Sequence, residues 1–526
     1  MSISFGEIPA DNYVPMFMTE FDNSNAAKGG AMPWKNLLIG QALSANSANT
    51  GTLKQITSDE QADALYGAGS QIARMIRAFR KNTRNSELWA LAVADGTTAA
   101  EGSIAVSFSG SASVAPKSGA IRLMIGGQSV NADVVAGKTA IQVASAIVEA
   151  INANQQLPVT ANNIVIVPGN TEDEDATNDE DSPTATATVT LTAKNGGTYG
   201  QGIDIRYNHY QGQELPDGVV LTVVNMNGGG SDTMYETAGV GTIIRGTWFN
   251  AIVAGSDDVA NVAYIKGLLD DRWQATVQQT GVLFFSLNGC VVDGDPDVYY
   301  GTASIDALKS RGGDLDSQVI VLPSLPKTPT PGFEVAAAVL GCIAQKALND
   351  PAQPLSNWPV AGIVAPRETD REDLEGNNAL LKAGCALLTC GNDGTVYLKR
   401  VVTTYKHNAA GAKDTSYQQL EKVFTLSFLR WDWNNYLAGR YPHAKLADDG
   451  TDFGPGQVIM TPKLGEAELL GRYEYWISKG LVQDYATFKA NLVVVRDPDD
   501  DTALQFLIPA DLIDQFFIGK SKIQFK

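Results

Sequence analysis

The segment ADVVAGKT ends in the Gly-Lys-Thr that closes a phosphate-binding loop. Such a loop needs a glycine five positions before Gly137, because its backbone N–H groups curl around the phosphates without a side chain in the way. Ala132 occupies that position. Thr139 and Gln142 have the spacing of a capping box at the start of a helix over Ala140–Ala153. The pattern therefore predicts a helix cap, with nucleotide binding as the alternative.

Acid–base, nucleophilic or metal chemistry would have to use one of three histidines, His209, His407 and His443. Their surroundings, RYNHYQG, TYKHNAAG and RYPHAKL, contain no second metal ligand at a suitable spacing and no nucleophile motif. The glycine-rich stretches YGAGS and MNGGGS lack the order of a dinucleotide-binding loop. We therefore expect no catalytic residue, no cofactor and no metal site. The alternative is an α/β enzyme that binds a nucleotide or hydrolyses a substrate.

Composition narrows the classes of partner and compartment. The 58 acidic residues outnumber the 39 basic ones, and the net charge of −19 opposes binding to nucleic acid and to anionic membranes. The start, MSISFGEIPADNYVP, lacks the regions of a signal peptide, and no run of about twenty apolar residues occurs. Four irregularly spaced cysteines do not fit a disulfide framework or a zinc site, and Cys342 and Cys385, in apolar helical patterns, predict small buried thiols in a reduced cytosol. We expect no direct nucleic-acid partner and no membrane insertion.

Two charged segments have open interpretations. One side of a predicted helix is basic, either as a solvated face or as a set of salt bridges to an acidic neighbouring subunit; it comprises Arg74, Arg77, Arg80, Lys81 and Arg84. The segment TEDEDATNDEDS has seven acidic residues between Glu172 and Asp181, without the order of a calcium-binding EF-hand loop. We interpret it as a solvated loop, and ion binding stays open.

The order of apolar segments predicts an α/β domain that is split by an insert. Strand, helix and strand patterns succeed one another in WKNLLIGQA, DEQADALYGAGSQIARMIRAFRK and SELWALAV, and the alternation resumes after residue 240. Apolar strands separated by helices indicate a mostly parallel sheet covered on both faces. In between, TATATVTLTA and GVVLTVVNMN alternate with period two, and IRLMIGGQSV predicts a hairpin at Gly126 and Gly127. This region predicts an inserted, β-rich domain.

The end of the chain has a pattern of its own. After about residue 392, a hairpin at NDG, an aromatic segment and the helix GEAELLGRYEYWISKG predict a C-terminal α+β domain. The last segment, FFIGKSKIQFK, alternates Ile523 and Phe525 with polar residues, which predicts a strand where chains usually fray. Pairing within the chain and donation to a neighbouring copy are both open.

A series of phrases, in order along the whole chain, resembles a known family. They are MTEFDNSNAAKGG, NLLIGQ, YGAGSQIARMIRAF, ELWAL, LTAKNGGTYGQGIDIRYN, VTTYKHNAAGAKD, LSFLRW, RYPHAKLADDGTDFGPGQVIMTP and IPADLIDQF. Together they resemble the tail sheath proteins of Mu-like contractile-tailed bacteriophages. The resemblance implies a virion tail protein, assembled in the host cytoplasm, that forms a helical sheath around a tail tube and contracts on host contact.

The resemblance also implies a multidomain α/β and α+β fold with a subtilisin-like core that is not catalytic, since residues 241–391 contain no histidine. The expected organisation is an N-terminal extended arm (1–20), the first part of the α/β core (21–95), an inserted β-rich, outward-facing domain (96–240), the second part of the core (241–391), a tube-facing C-terminal α+β domain (392–515) and a C-terminal strand arm (516–526).

The partners implied by the resemblance are other copies of the chain, the tail tube protein, and baseplate and tail terminator proteins. The family's arms complete the C-terminal sheets of neighbouring subunits, which assigns this role to Ile3, Phe5, Ile8, Ile523 and Phe525. For contact with the tube we predict basic residues of the last domain, Lys463, Arg472 and Lys479. An outward adhesin built on the insert is a further alternative.

Overall fold

The structure is a computed structural model that describes residues 32–110, 112–167, 185–289, 302–450, 453–454 and 456–525 of the 526. The chain divides into two compact units. The larger contains Trp34–Phe428, Tyr475–Asp484 and residues 510–525, and the smaller contains Leu429–Glu474 and Tyr485–Pro509. The acidic segment at 172–181 and the N-terminal residues Ile3, Phe5 and Ile8 lie outside the described residues.

The first part of the larger unit contains two helices where the sequence predicts one. Its first elements are β1 (Asn36–Gln41), β2 (Leu53–Gln55), α1 (Asp59–Tyr66), α2 (Gln71–Arg80) and β3 (Leu88–Val93). The predicted single helix breaks because Gly67 and Gly69 have φ of 91° and 81°, values that an α-helix does not allow. The Ser70 hydroxyl then accepts the N–H of Ala73 and starts α2.

The described residues of the insert form two antiparallel sheets and one helix. Its elements are β4 (Ala99–Phe108), β5 (Gly119–Ile125), β6 (Gln128–Val134), α3 (Ala140–Ala153), β7 (Val159–Val167), β8 (Thr186–Gly196), β9 (Ile205–Tyr207) and β10 (Val219–Asn227). The sheets have strand orders β10-β4-β8-β7 and β6-β5-β9. The hairpin predicted at Gly126 and Gly127 is confirmed, and both have the positive φ that such a turn requires.

After the insert, strands and helices alternate as predicted. The elements are α4 (Val240–Ile244), β11 (Ala251–Ala254), α5 (Val259–Trp273), β12 (Val282–Phe284), α6 (Ile305–Asp314), β13 (Ile320–Ser324), α7 (Gly332–Asn349), α8 (Leu374–Lys382), β14 (Cys385–Cys390) and β15 (Val396–Arg400). Polar side chains set several helix starts, since Asp258, Ser304 and Asp373 each accept backbone N–H groups at the N-caps of α5, α6 and α8.

These strands form one eight-stranded sheet in the order β15-β14-β13-β12-β11-β1-β3-β2. The pairs from β14 to β3 are parallel, and the edge strands β15 and β2 are antiparallel. The mixed α/β architecture predicted from the sequence is therefore present. The predicted boundary at residue 391 is wrong as an end of this sheet, because the Asn392–Gly394 turn returns the chain into β15.

Both faces of the sheet are buried. Leu37 and Ile39 of β1 pack in one cluster with α5, whereas Leu38 between them packs in the other with α2 and α7. This alternation follows from the period of two in a strand, and covering both faces makes the strands apolar throughout. The cluster around α2 and α7 also contains core residues of the insert, such as Ile104 and Ile147. The insert and this side of the sheet thus share one hydrophobic core.

The remaining elements are α9 (Leu420–Arg440), β16 (Lys445–Leu446), β17 (Ile459–Met460), α10 (Pro462–Ser478), β18 (Val482–Gln483), α11 (Tyr485–Asn491), β19 (Val493–Arg496), β20 (Leu504–Leu507) and β21 (Asp511–Leu512). The aromatic segment of the sequence is thus a helix, α9. The final strands form three separate pairs, β16 with β17, β18 with β21 and β19 with β20. None of the described helices is long and apolar enough to cross a membrane.

Candidate functional site

The switch point of the sheet is the place where an α/β enzyme binds its ligand, and here the Gln71 side chain bridges two strand ends. The connections leave β1 and β11 in opposite directions, which opens a crevice at the carboxyl ends of the strands. Gln71 Oε1 accepts the Gln41 N–H at 2.9 Å, and Nε2 donates to the Gly255 carbonyl at 2.9 Å. The first residue of α2 therefore links the ends of the two strands.

The insert covers the same edge with polar groups. Asn195 Oδ1 accepts the Gln71 N–H at 2.9 Å, and Asn195 Nδ2 donates to the Ala42 carbonyl at 2.9 Å. Asp232 Oδ2 accepts the Ser256 hydroxyl at 2.9 Å. These groups are buried, and their hydrogen bonds are made within the chain. The crevice is used to join the insert to the sheet.

The described residues at this edge include no histidine, so the Ser256 hydroxyl and the Asp232 carboxylate lack the base that hydrolysis by a serine triad requires. In the described part of the chain, no group of three or more His, Cys, Asp or Glu side chains could hold a metal ion. The arrangement at this edge can therefore fix two parts of the fold together.

A second polar junction between insert and core is centred on Arg74, whose side chain is buried. Arg74 Nε donates to Glu334 Oε1 at 2.5 Å, and the guanidinium also donates to the carbonyls of Gly126 at 2.7 Å and Gln156 at 3.2 Å. A buried ion pair needs such additional hydrogen bonds to offset its desolvation. Arg74 thus connects α2 to α7 and to two turns of the insert.

Both predicted roles of the basic helix face are wrong for Arg74, which is neither solvated nor free for a neighbour. Arg77 and Arg80 are also engaged within the chain, since Arg77 pairs with Asp63 and Arg80 Nε lies 2.8 Å from Asp59 of α1. Lys81 and Arg84 are exposed, as a solvated face requires. The sequence showed the basic side of α2 but not its partners, because Glu334 is 260 residues away.

The Gly-Lys-Thr turn is a helix cap, as predicted. Thr139 and Gln142 form a reciprocal capping box at the start of α3. The N–H groups of Gly137 and Lys138 donate to backbone carbonyl oxygens at 2.9 and 3.2 Å, so these groups do not point into an anion site. Ala132 is a buried residue of β6.

The three histidines lie in separate environments. His209 Nε2 is 3.1 Å from the Ala365 carbonyl, and burial lowers the pKa of His209 to about 4, which keeps the ring neutral. His407 Nδ1 is 2.8 Å from Asp316 Oδ2 at the surface. His443 is exposed. These contacts hold loops in place and do not form a proton-transfer site.

Both predicted buried thiols are confirmed, but only one of them lies in a helix as predicted. Cys342 is buried in α7, whereas Cys385 begins β14 and is not helical, because α8 ends at Lys382. Burial raises the pKa of Cys385 to about 11, so the thiol is protonated and unreactive. Cys390 is half-buried, and Cys290 lies outside the described residues.

In the smaller unit, helices α9 and α10 are joined by ion pairs and tyrosine hydrogen bonds. Arg472 binds both carboxylate oxygens of Asp432, and both side chains are largely buried. The hydroxyls of Tyr436 and Tyr441 both donate to Glu468. Arg472, one of the residues predicted to face the tube, therefore has a structural role in this unit.

The other two residues predicted to face the tube are at the surface. Lys463 is exposed near the start of α10. Lys479 is exposed just after α10, with its Nζ 5.7 Å from the centre of the Tyr475 ring. Contact of Lys463, Arg472 and Lys479 with a tube stays a prediction.

The last ten described residues include four strongly exposed apolar side chains. Phe516 is 84% exposed, Ile518 67%, Ile523 88% and Phe525 93%. Residues 516–525 belong to no strand or helix. Free N–H and C=O groups next to alternating apolar side chains are the features by which a strand adds to another sheet. Among the described residues, this segment pairs with no strand.

A buried carboxyl close to the base of that segment was not predicted. Glu421 is fully buried in the first turn of α9, where Oε1 accepts the Leu355 N–H at 2.9 Å and Oε2 has no partner among the described residues. Burial raises the pKa of Glu421 to about 7, although Arg400 nearby acts in the opposite direction. A glutamate in the first turn of a helix is common, so the sequence offered no signal.

Comparisons with known proteins identify a full-length relative. The Mu-like prophage FluMu tail sheath protein of Haemophilus influenzae is 31% identical over 526 residues, which is 100% of both chains. No family model matches the chain.

Solved structures of lower identity cover the chain as well. The sheath tail protein of Desulfitobacterium hafniense is 12% identical and covers 95% of this chain and 100% of its own, with a TM-score of 0.43. The helical sheath of the anti-feeding prophage in its contracted state is 10% identical and covers 97% of this chain and 99% of its own, with a TM-score of 0.45. The assignment rests on the full-length Haemophilus relative: the chain belongs to the family of Mu-like phage tail sheath proteins.

Proposed function

We propose that this tail sheath protein is the subunit of a contractile sheath, which polymerises helically around the tail tube and contracts on host contact to drive the tube through the cell envelope. The observation that carries the proposal is the unpaired, apolar segment at residues 516–525. Four of its five large apolar side chains are 67–93% exposed, which is costly for a protein that works as a monomer.

The acceptor for this segment is the β19–β20 hairpin of a neighbouring copy. The hairpin is a two-stranded sheet, and such a pair is marginally stable without further strands. It exposes Val493, Val495 and Leu507 by 43–60%. A strand donated along one edge would satisfy the main-chain groups of both partners and cover these side chains. The N-terminal residues Ile3, Phe5 and Ile8 are proposed to act in the same way.

Strand donation suits both growth and contraction of a sheath. A contact between two different surfaces that does not close into a ring generates a helix of open length. Main-chain ladders between copies can stay paired while the compact parts of the subunits rotate. The donated strands would thus hold neighbours together in both states of the sheath.

The energy for contraction would come from the polymer itself. We propose that the extended sheath is metastable and that contraction improves the packing between subunits. Burial of roughly 400 Å² more apolar surface per subunit would release about 10 kcal/mol as an upper estimate. Summed over many identical copies, this would drive a tube without nucleotide hydrolysis.

The finer features follow from the family resemblance and are part of the proposal. They comprise a subtilisin-like core without hydrolytic activity, an outward-facing insert, a C-terminal part that faces the tube, and contacts with baseplate and terminator proteins after assembly in the host cytoplasm. The Asn195 and Arg74 junctions support an insert that moves with the core, since both join it to the sheet region through buried hydrogen bonds.

Electron microscopy of the purified chain tests the proposal. The full chain is expected to form tubes without hydrolysing ATP, and a truncation that lacks residues 522–526 is expected to stay a folded monomer. Tubes formed by the truncation at the same concentration would contradict the role of the segment, and ATP turnover by the full chain would favour the enzyme alternative.

A further inference from the structure

The C-terminal segment has a fixed part and a free part, and the boundary between them is sharp. Strand β21 pairs with β18, with Leu512 opposite Val482, and the Ile513 N–H then donates to the Leu481 carbonyl at 3.1 Å. Beyond these residues the chain leaves the short sheet but stays in contact with the larger unit.

Three successive contacts continue the attachment, each to a different element. Asp514 Oδ1 lies 2.8 Å from Lys422 Nζ of α9. Gln515 Nε2 donates to the Ala352 carbonyl at 3.2 Å, in the turn after α7. The Phe517 ring lies under the guanidinium of Arg400, the last residue of β15, at 5.1 Å. A cation held over a ring face is attracted by the negative charge of that face, so this contact fixes the position of the Phe517 ring.

The exposed fractions of the side chains show where the attached part of the C-terminal segment ends. Phe517 is half-buried, whereas its neighbours Phe516 and Ile518 are 84% and 67% exposed. Gly519, Lys520 and Ser521 follow, all exposed, and the alternating residues Ile523 and Phe525 come after them. The described segment thus divides into an attached root (511–517), a short hinge (518–521) and the start of a donor strand (522–525).

We infer that Arg400 and Phe517 position the donor strand for assembly, by fixing the point from which the last nine residues reach a neighbouring copy. This inference rests on the proposed function and adds to it the residues that set the reach. Nine extended residues span at most about 30 Å, at 3.3 Å per residue. The acceptor hairpin of the neighbour must therefore lie within about 30 Å of Phe517.

The attached root also reduces the conformational entropy that the C-terminal segment loses when it binds a neighbouring copy. Each residue of a free chain that becomes ordered loses conformational entropy, so a segment attached as far as residue 517 has fewer residues to order when it binds. Loss of the Phe517 contact would lengthen the free part and spread the donor strand over a larger volume, which lowers its effective concentration at the acceptor.

A pair of adjacent phenylalanines supplies a matched test. Phe517→Ala removes the attached ring, and Phe516→Ala removes an exposed ring one residue earlier. Each variant carries Lys520→Cys with a spin label, and the label is measured in monomers before the concentration for half-maximal tube formation is determined. We expect Phe517→Ala to make the label clearly more mobile and to raise the concentration for half-maximal tube formation at least threefold. In Phe516→Ala, this concentration should stay within twofold of that of wild type. Arg400→Met should act like Phe517→Ala, and Arg400→Lys should recover part of the effect.

The possible results separate the two proposals. Equal label mobility and equal assembly for Phe516→Ala and Phe517→Ala would overturn the positioning role while leaving strand donation intact. A mobile label in Phe517→Ala with unchanged assembly would also overturn it, because the root would then be irrelevant to reach. Failure of the wild-type chain to form tubes would contradict the proposed function and with it this inference. Melting temperatures of the monomers control for misfolding, since Phe517 lies at the surface.

Discussion

The junction between insert and core differs from the C-terminal segment in whether its interacting groups have partners within the chain. At the junction, Arg74 and Gln71 are buried, and their donors reach oxygen atoms of the same chain. In the C-terminal segment, Ile523 and Phe525 are almost fully exposed and belong to no strand. The side chains at the junction have their hydrogen-bond partners within one molecule, whereas the apolar side chains of the C-terminal segment are left exposed. The comparison separates what holds the subunit together from what joins subunits.

The largest effect is expected from charging the donor strand. Ile523→Asp combined with Phe525→Asp should abolish tube formation, because a carboxylate on the apolar side of an added strand would have to be buried without a partner. Gln524→Asp, on the opposite side of the same strand, is the control and should leave tubes. Sedimentation and microscopy check the result, and tubes of the double variant at wild-type concentration would contradict it.

At the junction, breaking the buried ion pair should destabilise the monomer. Arg74→Met should cost about 3–5 kcal/mol in the free energy of unfolding, because the Glu334 carboxylate would stay buried without its partner. Urea unfolding measures this cost. Adding Glu334→Gln should recover part of it, and Arg77→Met, at a partly exposed pair, should cost less than about 1 kcal/mol. A loss for Arg74→Met no larger than that of the control would mean that the junction is dispensable.

A pH dependence is expected at Glu421, next to the attached root. The pKa is raised from 4.5 to about 7 in the folded chain, so the contribution to stability is full below pH 4.5 and is lost as the pH rises through 7. Between pH 5 and 8, the urea concentration that unfolds Glu421→Gln should therefore fall less than that of wild type, and at pH 8 the variant should be more stable than wild type by up to about 3 kcal/mol. An unchanged pH profile would show that Glu421 is already ionised in the folded state.

The smallest effect concerns the turn that resembles a phosphate-binding loop. Thr139→Ala should cost about 1 kcal/mol, because the hydroxyl caps α3. Lys138→Ala should change neither stability nor assembly. Thermal unfolding checks both, and a nucleotide that raises the melting temperature of wild type but not of Lys138→Ala would contradict the assignment as a cap.

Structural features that depend on residues close together in the chain were predicted correctly from the sequence. The start of α3 is determined by Thr139 and Gln142, three residues apart, and the hairpin at Gly126 by two glycines between apolar strands. The helix interrupted at Gly67 and Gly69 was missed because the apolar spacing continues across them. In that case backbone conformation overrode the pattern of side chains.

Features that depend on contacts between residues far apart in the chain could not be predicted from local sequence patterns. The partner of Arg74 is 260 residues away, and the burial of Glu421 depends on a turn around Leu355, 66 residues earlier. The place of β15 in the sheet likewise follows from the sheet and not from its own sequence. For the C-terminal segment, alternation predicted a strand and left its partner open; residues 516–525 belong to no strand, and pairing with a second molecule stays a prediction.

Cross-linking within assembled tubes tests strand donation most directly. Phe525→Cys is combined in one chain with Val495→Cys on the acceptor hairpin, in a background where Cys290 and Cys390 are replaced by serine, and tubes are treated with a short bis-maleimide. The account predicts a ladder of covalent oligomers that neither single cysteine gives. Tubes that form normally yet yield only monomers, with both thiols labelled, would contradict the claim that copies are joined through this segment and hairpin.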